Sequence, residues 1–114
     1  MTQNSISINE LYPRWLTARE KGDDCTVIDV RSNEEYADGH VPGARLLPLD
    51  TLPGRADEVN KEQQIFLICR SGMRSAQAMD YLSRQCGHSN LVNVSGGTMA
   101  WIKAGYPVEK GAAQ

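Results

Sequence analysis

Short apolar runs alternate along this chain with segments whose apolar residues recur at helical intervals. Three runs rich in β-branched residues are typical of buried strands: Thr26–Val30, Ile65–Cys69 and Leu91–Val94. The first two are continuously apolar, which favours a parallel sheet covered on both faces. The alternation of strands and helices therefore predicts an α/β domain with a mostly parallel central sheet flanked by helices on both faces.

Capping signals indicate where the first two helices begin. Ser7 and Ser32 each precede a glutamate by three residues, which is the spacing of a capping box. The first box predicts a helix that ends at Gly22, although Pro13 in its interior moves the expected start toward Asn9. The second box predicts a short helix.

The second half of the chain carries the remaining signals. One further helix, stopped by Gly87, is predicted from an apolar stripe: Ala76, Met79, Leu82 and Cys86. A last short helix is predicted over Thr98–Ala104, and the prolines and glycines of residues 42–54 predict a loop with short turns. No repeat or boundary interrupts this pattern, so we expect one domain over residues 1–114, with its core at about 6–108 and a polar tail at 109–114.

Composition narrows the classes of function. The 114 residues carry 12 basic and 14 acidic side chains, and a net charge of −2 argues against a nucleic-acid partner. The longest apolar run, Ile65–Cys69, is too short to cross a membrane, and the first residues lack the basic start and apolar stretch of a signal peptide. We therefore expect a cytoplasmic protein with reduced thiols and no membrane partner.

The cysteines provide the first chemical clue, because three thiols cannot all pair with one another. Cys69 ends an apolar strand and is followed by a glycine-containing loop and a helix, the position at which open α/β sheets bind ligands. Loop and helix N–H groups can converge there on one point, and Gly72 permits the positive φ that aims them inward. Arg70 and Arg74 add positive charge, so the segment predicts an anion site.

These surroundings would act on the sulfur itself. A helix N-terminus with cationic neighbours lowers a thiol pKa from about 8.5 to roughly 3.5–7.5, which would make Cys69 a thiolate nucleophile near neutral pH. The alternative is a buried structural cysteine. Two arginines, a glycine and a helix start within six residues favour the functional interpretation.

Three segments, in the same order, resemble a known family. Cys-Arg-Ser-Gly-Met-Arg at 69–74 is similar to the active-site loop of rhodanese-like sulfurtransferases. Asp29-Val-Arg31, followed by Glu35-Tyr36 and Gly39-His40-Val41, resembles the family's first signature, and Gly96-Gly97 through Trp101 resembles its usual close. The resemblance covers about Ile6 to Val108 and implies a rhodanese-like three-layer domain.

The resemblance implies a single-domain thiosulfate sulfurtransferase (rhodanese). Cys69 would take a sulfane sulfur from thiosulfate or a persulfide donor, hold it as a covalent persulfide, and pass it to cyanide or a thiol in a ping-pong reaction. No cofactor is implied beyond that persulfide. The partners would be a small anionic sulfur donor and, as a candidate acceptor, a thiol or a thioredoxin-like protein.

The resemblance also assigns the loop residues. The side chains of Arg70 and Arg74 would attract the anionic donor. The persulfide would be cradled by the N–H groups of the whole loop: Arg70, Ser71, Gly72, Met73 and Arg74. Ser75, at the helix start, is interpreted as a cap rather than a reactant.

Other polar residues are given structural interpretations. Asp29 and Arg31 could shape the loop, but a structural ion pair is favoured. We expect a structural role for His40 in its turn and a surface position for His88.

The two remaining cysteines, Cys25 and Cys86, are expected to pack as small apolar residues rather than to serve as redox partners. No Cys-x-x-Cys or His-x-x-x-His spacing occurs, so no metal site is predicted.

Two rival functions stay open. A phosphatase of the related Cdc25-like type needs five residues between its cysteine and arginine, whereas four separate Cys69 from Arg74 and Ser75 stands where that arginine would be. The shorter loop suits a sulfur atom better than a phosphoryl group. A non-catalytic rhodanese-type binding module is the second rival, although such modules usually lack the cysteine.

Overall fold

A computed structural model describes residues 4–113 of the chain, so the ends of the predicted domain, residues 1–3 and 114, lie outside the described residues. All of the strand pairs in its central sheet are parallel, in the order β1-β5-β4-β2-β3. The strands are β1 (Ser5–Ser7), β2 (Thr26–Asp29), β3 (Arg45–Leu46), β4 (Ile65–Ile68) and β5 (Leu91–Ser95). The α/β class and the parallel sheet are confirmed.

The helices follow the predicted alternation. They are α1 (Ile8–Lys21), α2 (Asn33–Asp38), α3 (Leu52–Arg55), α4 (Met73–Cys86) and α5 (Gly97–Lys103), with 3-10 turns on either side of α3. Both capping boxes form, at Ser7 and at Ser32. The expected shift of the first helix toward Asn9 is wrong: α1 begins at Ile8, because the capping-box bonds of Ser7 hold the first turn ahead of Pro13.

The helices cover both faces of the sheet, which makes three layers. Against one face, α1, α2 and α5 bury a largely aromatic group: Leu11, Trp15, Tyr36 and Trp101. Against the other face, α3 and α4 bury a mainly aliphatic group: Leu52, Ala78, Met79 and Leu82. Alternate strand side chains enter the two cores, as continuous apolar strands require.

The segment at residues 42–54, predicted as a loop, contains β3 and the start of α3. β3 pairs with β2 through Ile28–Arg45 and Asp29–Leu46, and the other edge strand, β1, pairs with β5. Strands of two or three residues carry too little alternation to be recognised from sequence, since they form through their tertiary pairing.

The predicted surface position of His88 is wrong. His88 is buried at the end of α4, where Nε2 lies 2.9 Å from the Val59 carbonyl oxygen and Nδ1 lies 3.3 Å from that of Leu82. The imidazole therefore joins α4 to the segment after α3. Across residues 4–113, no helix combines the length and apolar character needed to cross a membrane.

Candidate active site

The candidate site lies at the carboxyl end of β4. Cys69 follows this strand directly, and the loop turns at Gly72, which caps α4 with φ of 110°. In this conformation the Gly72 N–H donates to Cys69 Sγ across 3.1 Å. The positive φ and the inward-pointing donor predicted for Gly72 are therefore confirmed.

The local hydrogen bonds change the acidity of the sulfur. Burial alone raises the pKa of the Cys69 thiol, since the residue is only 1% exposed. Hydrogen bonds from the Ser75 hydroxyl and from the N–H groups of Ser75, Gly72 and Ser71 outweigh burial, so that the pKa of Cys69 lies below its ordinary value. This lowering of the pKa comes from peptide N–H groups and one hydroxyl, and not from Arg70 and Arg74, the cations expected from the sequence.

Ser75 belongs to the sulfur site and is not a cap, so the sequence interpretation of this residue is wrong. The cap of α4 is Gly72, and Ser75 lies in the first turn, fully buried, with Oγ 3.3 Å from Cys69 Sγ. Its hydroxyl donates to Oδ1 of Asn93 on β5. Asn93 was not identified from sequence, although a polar residue inside the apolar run Leu91–Val94 is a signal that could have revealed it.

Backbone hydrogen bonds from the start of α5 hold the loop in place. The N–H groups of Thr98 and Met99 donate to the carbonyl oxygens of Cys69 and Arg70, across 2.8 and 3.0 Å. A Cβ on Gly97 would lie 2.4 Å from the Cys69 carbonyl oxygen, so only glycine permits this approach. With its carbonyls bound to α5, the loop is held with N–H groups directed at the sulfur.

The two loop arginines are not equivalent. The Arg74 guanidinium forms a bidentate pair with the Glu35 carboxylate, at 2.7 and 2.8 Å. This pairing is the main reason why the pKa of Glu35 falls to about 2. Arg70 is exposed and makes no ion pair within residues 4–113. Both side chains were expected to attract the anionic donor, but Glu35 neutralises Arg74, so of the two only Arg70 offers an unpaired charge.

The remaining signature residues form hydrogen bonds among the segments that follow the neighbouring strand β2. Arg31 pairs with Asp29 at 2.7 Å and also donates to the Gly39 carbonyl oxygen at 2.8 Å, with both partners of the ion pair buried. The structural ion pair favoured from sequence is present. His40 is buried with Nδ1 2.7 Å from the Tyr36 carbonyl oxygen, as its predicted structural role requires.

A cavity of about 310 Å³ opens beside the loop. Its walls are mixed in chemistry: Arg31, Glu35, Asp38, Arg70, Thr98, Met99 and Ile102. A larger groove, of about 970 Å³, lies beside β3 and contains no residue of the loop at 69–75. The smaller cavity reaches the loop through Arg70, and Cys69 itself does not line it, so we regard it as the better candidate for the approach of a ligand toward Cys69.

The other two cysteines lie in packing positions. Cys25 packs against the core under α1, Cys86 packs against the core under α4, and all three thiols are free. Burial raises the pKa of the Cys25 thiol, in spite of the nearby positive charge of Arg14. The reactive surroundings are thus confined to Cys69.

Comparison with known proteins relates this geometry to a family. The profile of the Rhodanese-like domain family matches residues 12–104. A sulfurtransferase of Allochromatium vinosum is 36% identical over 102 residues, which are 89% of this chain and 94% of that protein.

Solved structures agree with this match. A rhodanese-related protein from Thermoplasma volcanium has a TM-score of 0.79 and 34% identity, covering 93% of this chain and 97% of that one. A rhodanese-like domain protein from Staphylococcus aureus has a TM-score of 0.78 and 32% identity, covering 96% of this chain and 100% of that one.

Proposed function

Since this chain belongs to the rhodanese-like domain family, we propose that it is a sulfurtransferase that carries a sulfane sulfur on Cys69 as a persulfide, without a bound cofactor. The observation that carries the proposal is the set of donors around Cys69 Sγ. The Gly72 N–H and the Ser75 hydroxyl lie 3.1 and 3.3 Å from a sulfur that burial alone would make less acidic, and the N–H groups of Ser71 and Ser75 also lower its pKa. Such donors stabilise a thiolate without requiring a histidine base.

The first half-reaction loads the sulfur. Cys69 Sγ, as a thiolate, attacks the outer sulfur of thiosulfate, and a new S–S bond forms. The original S–S bond of thiosulfate breaks, and sulfite leaves with its electron pair. The negative charge then lies on the outer sulfur of the persulfide, which suits the N–H groups at the start of α4.

The second half-reaction removes the sulfur. A cyanide ion or a thiolate attacks the outer sulfur, the persulfide bond breaks, and its electron pair returns to Cys69 Sγ. The product is thiocyanate or a new persulfide. Each half-reaction conserves the total negative charge, so the site needs no proton donor for either displacement.

Of the charged side chains that line the cavity, Arg70 is the one that favours a small anionic donor, since Arg31 is paired with Asp29 and both Glu35 and Asp38 are acidic. Arg70 is exposed at the rim with no acidic partner in the described part of the chain, whereas Arg74 is bound to Glu35. A donor such as thiosulfate would meet Arg70 first and then the peptide N–H groups. A thiol or a thioredoxin-like protein remains our proposed acceptor, and a cytoplasmic location would keep Cys69 reduced.

Mass spectrometry after incubation with thiosulfate tests the proposal. The protein is expected to gain one sulfur atom at Cys69 and to lose it, as thiocyanate, when cyanide is added. Cys69→Ser should abolish the gain, because it removes the attacking sulfur. Cys25→Ser is the matched control and should leave loading unchanged, since Cys25 lies outside the site.

The two rival functions predict different results, which are separated by adding an assay with an aryl phosphate. Absence of both sulfur loading and thiocyanate would overturn the proposal and favour a non-catalytic binding module. Turnover of an aryl phosphate without sulfur loading would favour the Cdc25-like phosphatase.

A further inference from the structure

We propose that Asn93 is a positioning residue that controls the single hydroxyl hydrogen of Ser75. In this proposal the Ser75 hydroxyl donates to the Asn93 carboxamide oxygen when Cys69 is a thiol and to Cys69 Sγ when the sulfur is a thiolate. The role of this movement in turnover rests on the proposed function of Cys69. Its effect on the ionisation of the thiol does not.

The orientation of the Asn93 carboxamide is fixed from both sides. Nδ2 donates to the Gly72 carbonyl oxygen at 3.3 Å, and a carbonyl oxygen can only accept. Oδ1 therefore faces Ser75, whose hydroxyl donates to it. Asn93 pairs with Leu67 on β4 and with Ser5 on β1, so it lies on an interior strand and not at a free edge of the sheet.

A simple count of hydrogens shows the competition. Ser75 has one hydroxyl hydrogen, and its oxygen lies within hydrogen-bond reach of both Asn93 Oδ1 and Cys69 Sγ. While the thiol holds its proton, S–H can donate to Ser75, which donates to Asn93, and every donor has an acceptor. After the thiol proton leaves for solvent, the sulfur is only an acceptor, and the Ser75 hydrogen must turn toward it.

The same movement would follow the charge during turnover. In the persulfide, Cys69 Sγ becomes a neutral bridging sulfur, while the charge lies on the outer sulfur. A neutral divalent sulfur is a weak acceptor, so the Ser75 hydrogen returns to Asn93 Oδ1. The pull of Asn93 therefore disfavours the free thiolate relative to the persulfide, which would favour loading of the sulfur.

The test uses a chain whose only thiol is Cys69, obtained with Cys25→Ala and Cys86→Ala, and follows the thiolate absorbance against pH. Asn93→Leu removes the competing acceptor, so Ser75 donates to the sulfur without opposition. The titration is expected to move to lower pH, with the thiolate fraction below the midpoint rising about threefold, as for one neutral hydrogen bond. Ser75→Ala should move it to higher pH.

Asn90→Leu is the matched control, because Asn90 donates to Asn60 and Gln63 carbonyl oxygens at the other end of β5. This variant should leave the titration of Cys69 unchanged. In the Asn93→Leu background, Ser75→Ala should shift the titration further than it does alone, and Ser75→Thr, which keeps the hydroxyl, should restore most of the effect.

An unchanged or raised midpoint in folded Asn93→Leu would overturn the proposal, as would strictly additive effects of the two substitutions. Ser75→Ala removes one atom and keeps the test valid if Asn93→Leu does not fold. In that case a downward shift would contradict the donation of Ser75 to the thiolate. None of these titrations needs a sulfur donor, so a failure of sulfur transfer gives a separate result.

Discussion

Two thiols lie at opposite ends of neighbouring parallel strands, and their pKa values are shifted in opposite directions. Cys69 follows β4 at its carboxyl end, and Cys25 precedes β2 at its amino end. Burial raises the thiol pKa of both. At Cys69 the surrounding hydrogen bonds reverse this effect, whereas at Cys25 the positive charge of Arg14 does not.

The difference shows which interactions can activate a buried sulfur in this fold. A guanidinium near the surface is screened by water, while a peptide N–H in contact with the sulfur acts at hydrogen-bond distance. The carboxyl end of β4 supplies such N–H groups because the chain turns directly into α4 there. The position of a cysteine relative to a helix start therefore matters more than the number of nearby arginines.

The largest predicted effect comes from displacing the loop, which should reduce the difference in acidity between the two thiols. Gly97→Ala places a methyl group 2.4 Å from the Cys69 carbonyl oxygen, at a positive φ of 61°. Gly22→Ala is the matched control, since Gly22 has a φ of 74° but no atom within 4 Å of its Cβ position. Urea unfolding should show a loss of about 1 kcal/mol for Gly22→Ala and about 1–3 kcal/mol more for Gly97→Ala.

The loop should also lose its effect on the sulfur. In folded Gly97→Ala the thiol pKa of Cys69 is expected to rise, because the N–H groups of the loop move away. Equal losses of stability in the two alanine variants would show that the contact with the Cys69 carbonyl has no importance.

A direct titration of the two thiols gives the next largest effect. One chain keeps only Cys69, and a second keeps only Cys25, with Cys69→Ser and Cys86→Ala. Thiolate absorbance should give a midpoint for Cys69 below that of a free cysteine peptide, and a midpoint for Cys25 above it, in line with the two pKa shifts. If Cys25 ionised at the lower pH, the contrast between N–H donors and a nearby cation would be lost.

The smallest predicted effect concerns the ion pair between Arg74 and Glu35, close to Cys69. Glu35 has a folded pKa of about 2, below the ordinary value of 4.5, so its pairing with Arg74 stabilises the fold fully above pH 4.5 and is lost as the pH falls toward 2. Both side chains are about one-third exposed (36% and 31%), so the pair should contribute less than about 1 kcal/mol.

Urea unfolding of Glu35→Gln tests this pair. The free energy of unfolding is measured from about pH 3 to about pH 7, a range that covers most of the titration of Glu35. The wild-type advantage should be present at neutral pH and shrink in acid. Glu34→Gln, which alters the adjacent exposed glutamate of α2, is the control and should not reproduce this pH dependence. A large change in the thiol pKa of Cys69 in Glu35→Gln would mean that Arg74 matters more than the comparison implies.

The features that were predictable from sequence depend on residues close together in the chain. The capping boxes at Ser7 and Ser32 span three residues each, and both form. The donor loop at Cys69 follows from a strand, a glycine and a helix in direct succession. Short segments of the sequence therefore predicted the three layers, the parallel sheet and the position of Cys69 between a strand and a helix.

The features that were missed depend on residues far apart. Ser75 meets Asn93 over 18 positions, and Arg74 meets Glu35 over 39. His88 reaches the Val59 carbonyl over 29 positions and is therefore buried rather than exposed. A single sequence shows the chemistry of each side chain but not its distant partner, which is why it predicts a cap at Ser75 and does not reveal the pairing of Arg74 with Glu35.

The contact between Gly97 and the Cys69 carbonyl has a consequence for biosynthesis. A chain whose synthesis stops before Gly97 contains Cys69 but lacks the α5 contacts that hold the loop. We expect the thiol of such a truncated chain to be less acidic than Cys69 in the folded protein, because nothing then holds the loop N–H groups toward the sulfur. Acidity of the thiol should therefore require the complete fold, although Cys69 and the donors around it lie within residues 69–75.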